Sequence, residues 1–194
     1  MADESARIEC ILKEISNPVI RPGLSRMARL LSKMGHPERF FPAVHVVGTN
    51  GKGSISAMLE SIFLEAGYKT CMYTSPHLVD IGERLRLSGF PAGARDLFPS
   101  VMAVADILKK EFSPDEKPTY FEVLTAAAFL SIRSYAPDVA IIEAGMGGRL
   151  DATNILSHVA LTVISSIGFD HIEYLGPALE SIAMEKFLVL RPNG

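Results

Sequence analysis

A glycine-rich turn with one lysine and one hydroxyl group separates an apolar stretch from a helical pattern. The turn reads GTNGKGS over residues 48–54. Glycine accepts positive φ angles and lets a ligand approach the backbone. The N–H groups at the start of a helix and a lysine suit a phosphate, and a serine hydroxyl suits a magnesium ion. The turn therefore predicts a nucleotide-phosphate site formed by Thr49, Asn50, Gly51, Lys52, Gly53 and Ser54.

The sequence of this turn differs from the general phosphate-loop pattern G-x-x-x-x-G-K-[ST]. The first glycine of that pattern would fall at Val46, and Gly53 separates Lys52 from Ser54. A plain glycine turn with a solvated Lys52 is the alternative. The order of strand, glycines, lysine, hydroxyl and helix favours nucleotide binding.

Polar residues also follow three other apolar runs. Glu143 ends one of them, where a carboxylate can hold magnesium beside a phosphate loop, although a local capping role is the alternative. Ser75 and His77 follow a second run. Asp170 and His171 follow a third, and by themselves they fit a structural role as well as a functional one. A turn at 147–151 could be closed by an ion pair between its arginine and its aspartate.

Hydrophobic periodicity predicts the elements that position these residues. Helices are expected over 4–15, 24–34, 54–66, 95–112, 120–135 and 177–188, and strands over 43–47, 69–73, 138–143 and 159–165. The third helix is expected to bury Ile55, Met58, Leu59, Ile62 and Phe63. Residues 78–93 show no clear period and predict a long loop with an extended piece at 84–87. Alternating strands and helices predict an α/β fold, a mostly parallel sheet flanked by helices with its site at the carboxyl edge.

The composition argues against several classes of partner. A net charge of −3 gives no reason to expect nucleic acid or an anionic membrane surface. The acidic N-terminus does not look like a signal peptide, and no apolar run reaches the roughly 20 residues of a membrane span. Cys10 and Cys71 are expected to be reduced thiols. A soluble, cytoplasmic monomer is predicted.

Five stretches taken together resemble the folylpolyglutamate synthase / dihydrofolate synthase family of Mur-ligase-type, ATP-dependent amide ligases. They are GTNGKGS at 48–54, TSPHL at 74–78, ERLRLSG at 83–89, EAGMGGRLDATN at 143–154 and SSIGFDHIEYLG at 165–176. The stretch 23–35 resembles the N-terminal helix of the family, and the family's loop contains the extra glycine found at Gly53. The resemblance implies a P-loop NTPase-like fold, the central ATPase domain of a Mur ligase.

The resemblance also implies a reaction and a set of residues. ATP would phosphorylate a carboxylate of a folate or of dihydropteroate, and the amino group of L-glutamate would attack the acyl phosphate. The implied catalytic residues are Lys52, Glu143, His171 and Lys186. Ser54, Ser75 and Glu143 would bind one Mg²⁺ ion, and His171 with Glu143 would bind a second. The residues implied on the substrate side are His77, Arg84, Asp151 and Asn154.

The match at Lys186 is incomplete. The family's equivalent lysine carries a carbamate, but here Phe187 and Leu188 replace a small Ala-Gly pair, and Asn193 intervenes before Gly194. An exposed helix lysine is the alternative for Lys186.

Family members are considerably longer than this chain. Residues 1–194 are therefore expected to form the N-terminal part of the ATP-binding domain, with the C-terminal glutamate-ligase domain absent. An open sheet edge, uncovered apolar surface and weak or no activity are expected. Besides folylpolyglutamate synthase, the alternatives are dihydrofolate synthase and an inactive nucleotide-binding fragment.

Overall fold

A computed structural model describes residues 2–191, with side chains from residue 4 onward. The departure from the family pattern at Asn193 lies outside the described residues, as do Pro192 and Gly194. The helices are α1 (Ala2–Ile15), α2 (Ser25–Lys33), α3 (Lys52–Glu65), α4 (Gly93–Glu111), α5 (Tyr120–Tyr135), α6 (Ile172–Leu175) and α7 (Leu179–Phe187). The strands are β1 (Ala43–Val47), β2 (Thr70–Tyr73), β3 (Leu85–Leu87), β4 (Phe90–Pro91), β5 (Val139–Glu143) and β6 (Val159–Ile164).

The strands form one mixed sheet in the order β4-β3-β2-β5-β1-β6. β1 pairs in parallel with β5 and β6, and β2 pairs in parallel with β5. The predicted α/β class with a mostly parallel sheet is confirmed. Because parallel strands end at the same edge, the segments that follow β1, β2, β5 and β6 meet there.

Helices cover both faces of the sheet. The larger core lies on the face packed by α1, α2, α4 and α5, and it contains buried apolar residues from all four helices. α3 packs on the other face, where Ile55, Leu59 and Phe63 contact a smaller cluster that includes Val44 and Ile141.

Two predictions for α3 are wrong. The helix begins at Lys52 and not at Ser54. Met58 and Ile62 are 63% and 64% exposed, whereas Glu60 is 2% exposed. The physical reason is a non-local ion pair, because Arg86 of β3 lies 2.9 Å from the Glu60 carboxylate and allows this charged side chain to be buried.

The expected long loop at 78–93 is largely ordered. It contains a 3-10 turn at Ile81–Arg84, followed by β3 and β4, which add antiparallel strands to the sheet. The turn is held by the Glu83 carboxylate, which accepts hydrogen bonds from the backbone of Leu78, Val79 and Asp80.

The expected open edge is present. β6 is the last strand of the sheet on its side, and Leu161 is 45% exposed. Met184 and Phe187 of α7 are also exposed. No helix within residues 2–191 has the length and apolar character needed to cross a membrane.

Candidate active site

The predicted phosphate loop connects β1 to the first turn of α3. The first N–H groups of a helix have no partner within the helix. The N-cap residue here is Gly51, at φ +82°, and it has no side chain that could satisfy them. The N-terminus of α3 can therefore accept an anion through its backbone.

Two lysines converge on one carbonyl group of this loop. Lys52 Nζ donates to the carbonyl oxygens of Gly48 and Thr49 at 3.1 and 3.0 Å. Lys186 Nζ donates to Gly48 at 3.0 Å and to Gly147 at 3.4 Å. Lys186 is 2% exposed, so the alternative of an exposed helix lysine is wrong. Burial lowers the pKa of Lys186, and the positive charge of Lys52 lowers it further.

The segment after β6 forms hydrogen bonds with the phosphate loop. The hydroxyl groups of Ser165 and Ser166 donate to the Asn50 carbonyl at 2.8 and 3.0 Å. The Thr49 hydroxyl donates to the Gly168 carbonyl at 3.0 Å and accepts from the Gly168 amide at 3.1 Å. The Thr49 amide also donates to the Ser166 carbonyl at 2.8 Å, so both the side chain and the backbone of Thr49 are tied to this segment.

Glu143 lies at the carboxyl end of β5, beside the loop, and is 5% exposed. Its Oε2 would be 3.7 Å from a Cβ atom placed on Gly53, and it accepts a backbone hydrogen bond from Ser75. Burial raises the pKa of Glu143, an effect partly opposed by the charge of Lys52. A buried carboxylate beside Gly53, with the Ser54 hydroxyl one residue further along the same helical turn, offers the oxygen ligands that Mg²⁺ prefers. The residues present therefore fit a magnesium ion.

The predicted second metal position is more open. The side chain of His171 is 41% exposed, and its Nε2 lies 3.6 Å from the carboxylate of Asp170. Among the residues that the structure describes, no three His, Cys, Asp or Glu side chains form a metal-binding group.

A cavity of about 640 Å³ opens at the carboxyl edge of the sheet. Three segments line most of it, namely residues 17–22, 119–122 and 145–152. Ser75, Arg84 and His171 also line it. Lys186 connects the cavity wall to the phosphate loop, because it contacts the carbonyl groups of both Gly147 and Gly48.

Two of the four predicted substrate-side residues contact each other. Arg84 is buried, lines the cavity and donates from Nε to His77 Nδ1 at 2.9 Å. The other ring nitrogen of His77 lies 3.5 Å from the carboxylate of Glu9. His77 is outside the cavity lining and holds Arg84 from behind.

The other two substrate-side residues have structural contacts. Asp151 lines the cavity, but its carboxylate accepts hydrogen bonds from Thr153. The suggested Arg149–Asp151 pair is wrong, because Arg149 pairs with Glu185 of α7 at 2.7 Å. Asn154 lies outside the cavity lining and donates to the Arg149 carbonyl at 3.0 Å.

Sequence reasoning missed one wall of the cavity. Residues 17–22 are placed by a bridge between Asn17 and Thr119 and by an ion pair of 3.0 Å between Arg26 and the buried Glu122. Thr119 and Glu122 form a capping box at the start of α5, which begins at Tyr120 as predicted. Nothing local in the sequence indicates that Arg26 is its partner.

Comparison with known proteins places this geometry in a family. Residues 46–192 match the Mur ligase middle domain. A dihydrofolate synthase/folylpolyglutamate synthase of Bacillus subtilis is 41% identical over 180 residues, which cover 89% of this chain and 40% of that relative. The protein of the same name from Escherichia coli is 38% identical, with 93% of this chain and 41% of the relative covered.

Solved structures show the same fold. "E.coli FolC in complex with DHPP and ADP" has a TM-score of 0.84 and 37% identity, covering 97% of this chain and 44% of that one. A folylpolyglutamate synthase from Thermotoga maritima has a TM-score of 0.85 and 33% identity, covering 96% and 42%.

The fold is that of the Mur-type ligases, and the chain belongs to the Mur ligase middle-domain family. The resemblance to folylpolyglutamate synthase / dihydrofolate synthase is confirmed by these relatives. The chain spans about 40% of the length of the curated relatives that it matches.

Proposed function

We propose that this chain carries the nucleotide-binding and pterin-binding part of an ATP-dependent ligase that joins L-glutamate to a folate. The observation that supports this most is the position of the cavity, whose wall at Gly147 is connected to the Gly48 carbonyl of the phosphate loop through Lys186. A substrate in the cavity could extend its carboxylate past the turn at 145–148 towards the γ-phosphate of ATP. Such positioning supplies much of the catalysis of phosphoryl transfer.

The phosphate loop binds and orients ATP. Lys52 and the backbone amides of 50–54 would contact the β- and γ-phosphates. Ser54, Ser75 and Glu143 would hold one Mg²⁺ ion, and Glu143 with His171 would hold a second. A bound magnesium ion neutralises charge on the transferred phosphoryl group.

The cavity accepts a flat heteroaromatic group. Phe121 stands against Gly145, where an added Cβ would lie 2.7 Å from its ring. Val19, Ile20 and Tyr174 add apolar surface to the lining. The buried Arg84 guanidinium provides the positive charge that a carboxylate-bearing substrate requires.

Lys186 is proposed to carry a carbamate. Its ammonium group shares the Gly48 carbonyl with Lys52, which places two like charges close together. The ammonium group first loses one proton to solvent and becomes a neutral amine. Attack of this amine on CO₂ forms an N–C bond and releases a second proton, so that a cation is converted into an anion. The product would attract Lys52 and could bind a metal ion.

The acceptor is either a folate or dihydropteroate, since the relatives carry the names of both activities. A nucleotide-binding fragment without ligase activity is the other candidate. Phosphate release that depends on the acceptor and on glutamate favours the ligase. We further propose a monomer that works in the cytoplasm.

Binding of dihydropteroate tests the proposed cavity. Replacement of Phe121 by alanine is expected to weaken binding about tenfold, because it removes an aromatic wall of the site. Fluorescence titration of the pterin measures this affinity. The control is Phe98→Ala on α4, where the ring packs under Arg7 away from the cavity, and it should leave the affinity unchanged. Absence of binding to the unmodified chain, or equal affinities for both variants, would contradict the proposal.

Glu143 is expected to couple nucleotide binding to magnesium. Replacing it with glutamine retains its shape but removes the negative charge that favours a cation. Mg²⁺ should therefore increase ADP affinity several-fold in the unmodified chain and much less in Glu143→Gln. Calorimetric titration with and without Mg²⁺ measures the difference. Glu65→Gln, at the exposed end of α3, is the control, and an unchanged magnesium effect in Glu143→Gln would refute the assignment.

A further inference from the structure

A buried hydrogen-bonded network of three side chains, the His45–Thr153–Asp151 network, connects β1 to the turn at 145–148. His45 of β1 is fully buried, and its Nε2 lies 2.8 Å from Thr153 Oγ1. The Thr153 hydroxyl donates to Asp151 Oδ1 at 2.6 Å. The other carboxylate oxygen of Asp151 accepts from the Met146 amide at 2.8 Å. These hydrogen bonds thus connect β1, which leads into the phosphate loop, to a wall of the cavity.

The direction of the hydrogen bonds follows from the number of protons. A threonine hydroxyl has one proton, and here that proton is directed at Asp151. The Thr153 oxygen must therefore accept from His45, which requires a proton on Nε2. Nδ1 then has a lone pair, and it has no protein partner among the described residues. Burial and then the charge of Arg191 lower the pKa of His45 to about 4, in agreement with a neutral ring.

The Asp151 carboxylate is engaged mainly within its own turn. It accepts from the amide and hydroxyl groups of Thr153 and from the amide of Met146. These three hydrogen bonds use most of the roughly four lone-pair sites of a carboxylate. Asp151 therefore acts on the cavity by fixing the turn.

We propose that His45 is a positioning residue, which acts through Thr153 and Asp151 to hold the 145–148 turn in place for substrate binding. This inference rests on the proposed function of the cavity. Residues 145–148 line the cavity, so a shift of this turn changes the cavity wall directly. The turn reaches the phosphate loop only through the contact of the Gly147 carbonyl with Lys186.

A matched pair of substitutions at Thr153 tests the hydrogen bonds between His45, Thr153 and Asp151. Thr153→Val retains the shape but removes the hydroxyl, whereas Thr153→Ser retains the hydroxyl. Loss of a hydrogen bond to a charged group corresponds to about a tenfold effect or more. Thr153→Val is expected to weaken dihydropteroate binding about tenfold with little change in ADP affinity, and Thr153→Ser to bind as the unmodified chain does. Equal dihydropteroate affinities for the two variants would overturn the inference.

Substitution of His45 provides the second comparison. The amide nitrogen of glutamine can replace the Nε2 donor, so His45→Gln should retain dihydropteroate affinity, whereas His45→Leu should lose it about tenfold. Loss of affinity in both variants, with both folded, would show that the donor is not what matters and would contradict the proposal.

A ligand-free measurement separates this inference from the proposed function. Nitrogen NMR of the histidine rings should show His45 protonated on Nε2 alone, and the Met146 amide should exchange with solvent faster in Thr153→Val than in Thr153→Ser. A proton on Nδ1, or equal exchange rates, would overturn the proposed role of His45 even if dihydropteroate binds. If the protein does not bind dihydropteroate, the proposed function fails, and these two measurements still decide whether the hydrogen-bonded network of His45, Thr153 and Asp151 exists.

Discussion

Replacement of Lys52 by alanine is expected to weaken ADP binding by about 100-fold. A hydrogen bond to a charged group contributes about 1.5–3 kcal/mol, and one lysine reaches more than one phosphate oxygen. Lys52 also ties the loop together through the carbonyl groups of Gly48 and Thr49. Calorimetric titration with Mg·ADP measures the loss.

The control for this prediction is Lys110→Ala. Lys110 is exposed in the last turn of α4, so this variant removes the same charge without touching the loop. ADP affinity should be unchanged in it. Equal affinities for Lys52→Ala and the unmodified chain would show that the loop does not bind the phosphates.

Replacement of Gly48 by alanine is expected to destabilise the fold by about 2–5 kcal/mol. The residue has a φ of +152°, and an added Cβ would lie 1.8 Å from Ser165 Oγ and 3.1 Å from Ser165 Cβ. Backbone strain costs about 1–3 kcal/mol, and overpacking a similar amount. Urea unfolding measures the loss, and the displaced Ser165 would also release its hydrogen bond to Asn50.

Gly67→Ala separates the two contributions. Gly67 also has a positive φ, of +84°, but an added Cβ there meets nothing within 4 Å. This variant should therefore show the backbone strain alone, and a smaller loss than Gly48→Ala. A loss as large in Gly67→Ala would mean that the contact with Ser165 contributes nothing.

The four parallel strands could be predicted from the sequence, but their order could not. β1, β2, β5 and β6 are short apolar runs, which indicate buried parallel strands. β5 lies between β1 and β2, although β2 comes before it in the chain. The choice of neighbour is made by contacts between residues far apart in sequence, and periodicity carries no information about them.

The same limit applies to single residues. Periodicity grouped Met58 and Ile62 with the buried face of α3. It shows which side chains lie on the same face of a helix, but not which face another element covers. It also could not show that Arg86 would cover Glu60, or that a lysine 138 residues away would reach the Gly48 carbonyl. Motif spacing located the phosphate loop because all of that loop's residues are adjacent in the chain.

The substrate side was the least predictable part of the site. Motif resemblance placed Asp151 and Asn154 on that side, but it does not distinguish a residue that faces a ligand from one that holds the wall. His45 interrupts an otherwise apolar strand. A polar residue at such a position must find a buried partner, which indicated that His45 has a contact but not that the contact is with Thr153.

The most direct measurement is a map of amide chemical shifts during titration with Mg·ADP and then with dihydropteroate. ADP should shift the amides of 48–54 first, and dihydropteroate should then shift those of 119–122 and 145–148. Both ligands would thus bind at one edge of the sheet. Shifts from ADP outside the loop, or no response of the cavity segments to dihydropteroate, would contradict the assignment of this site.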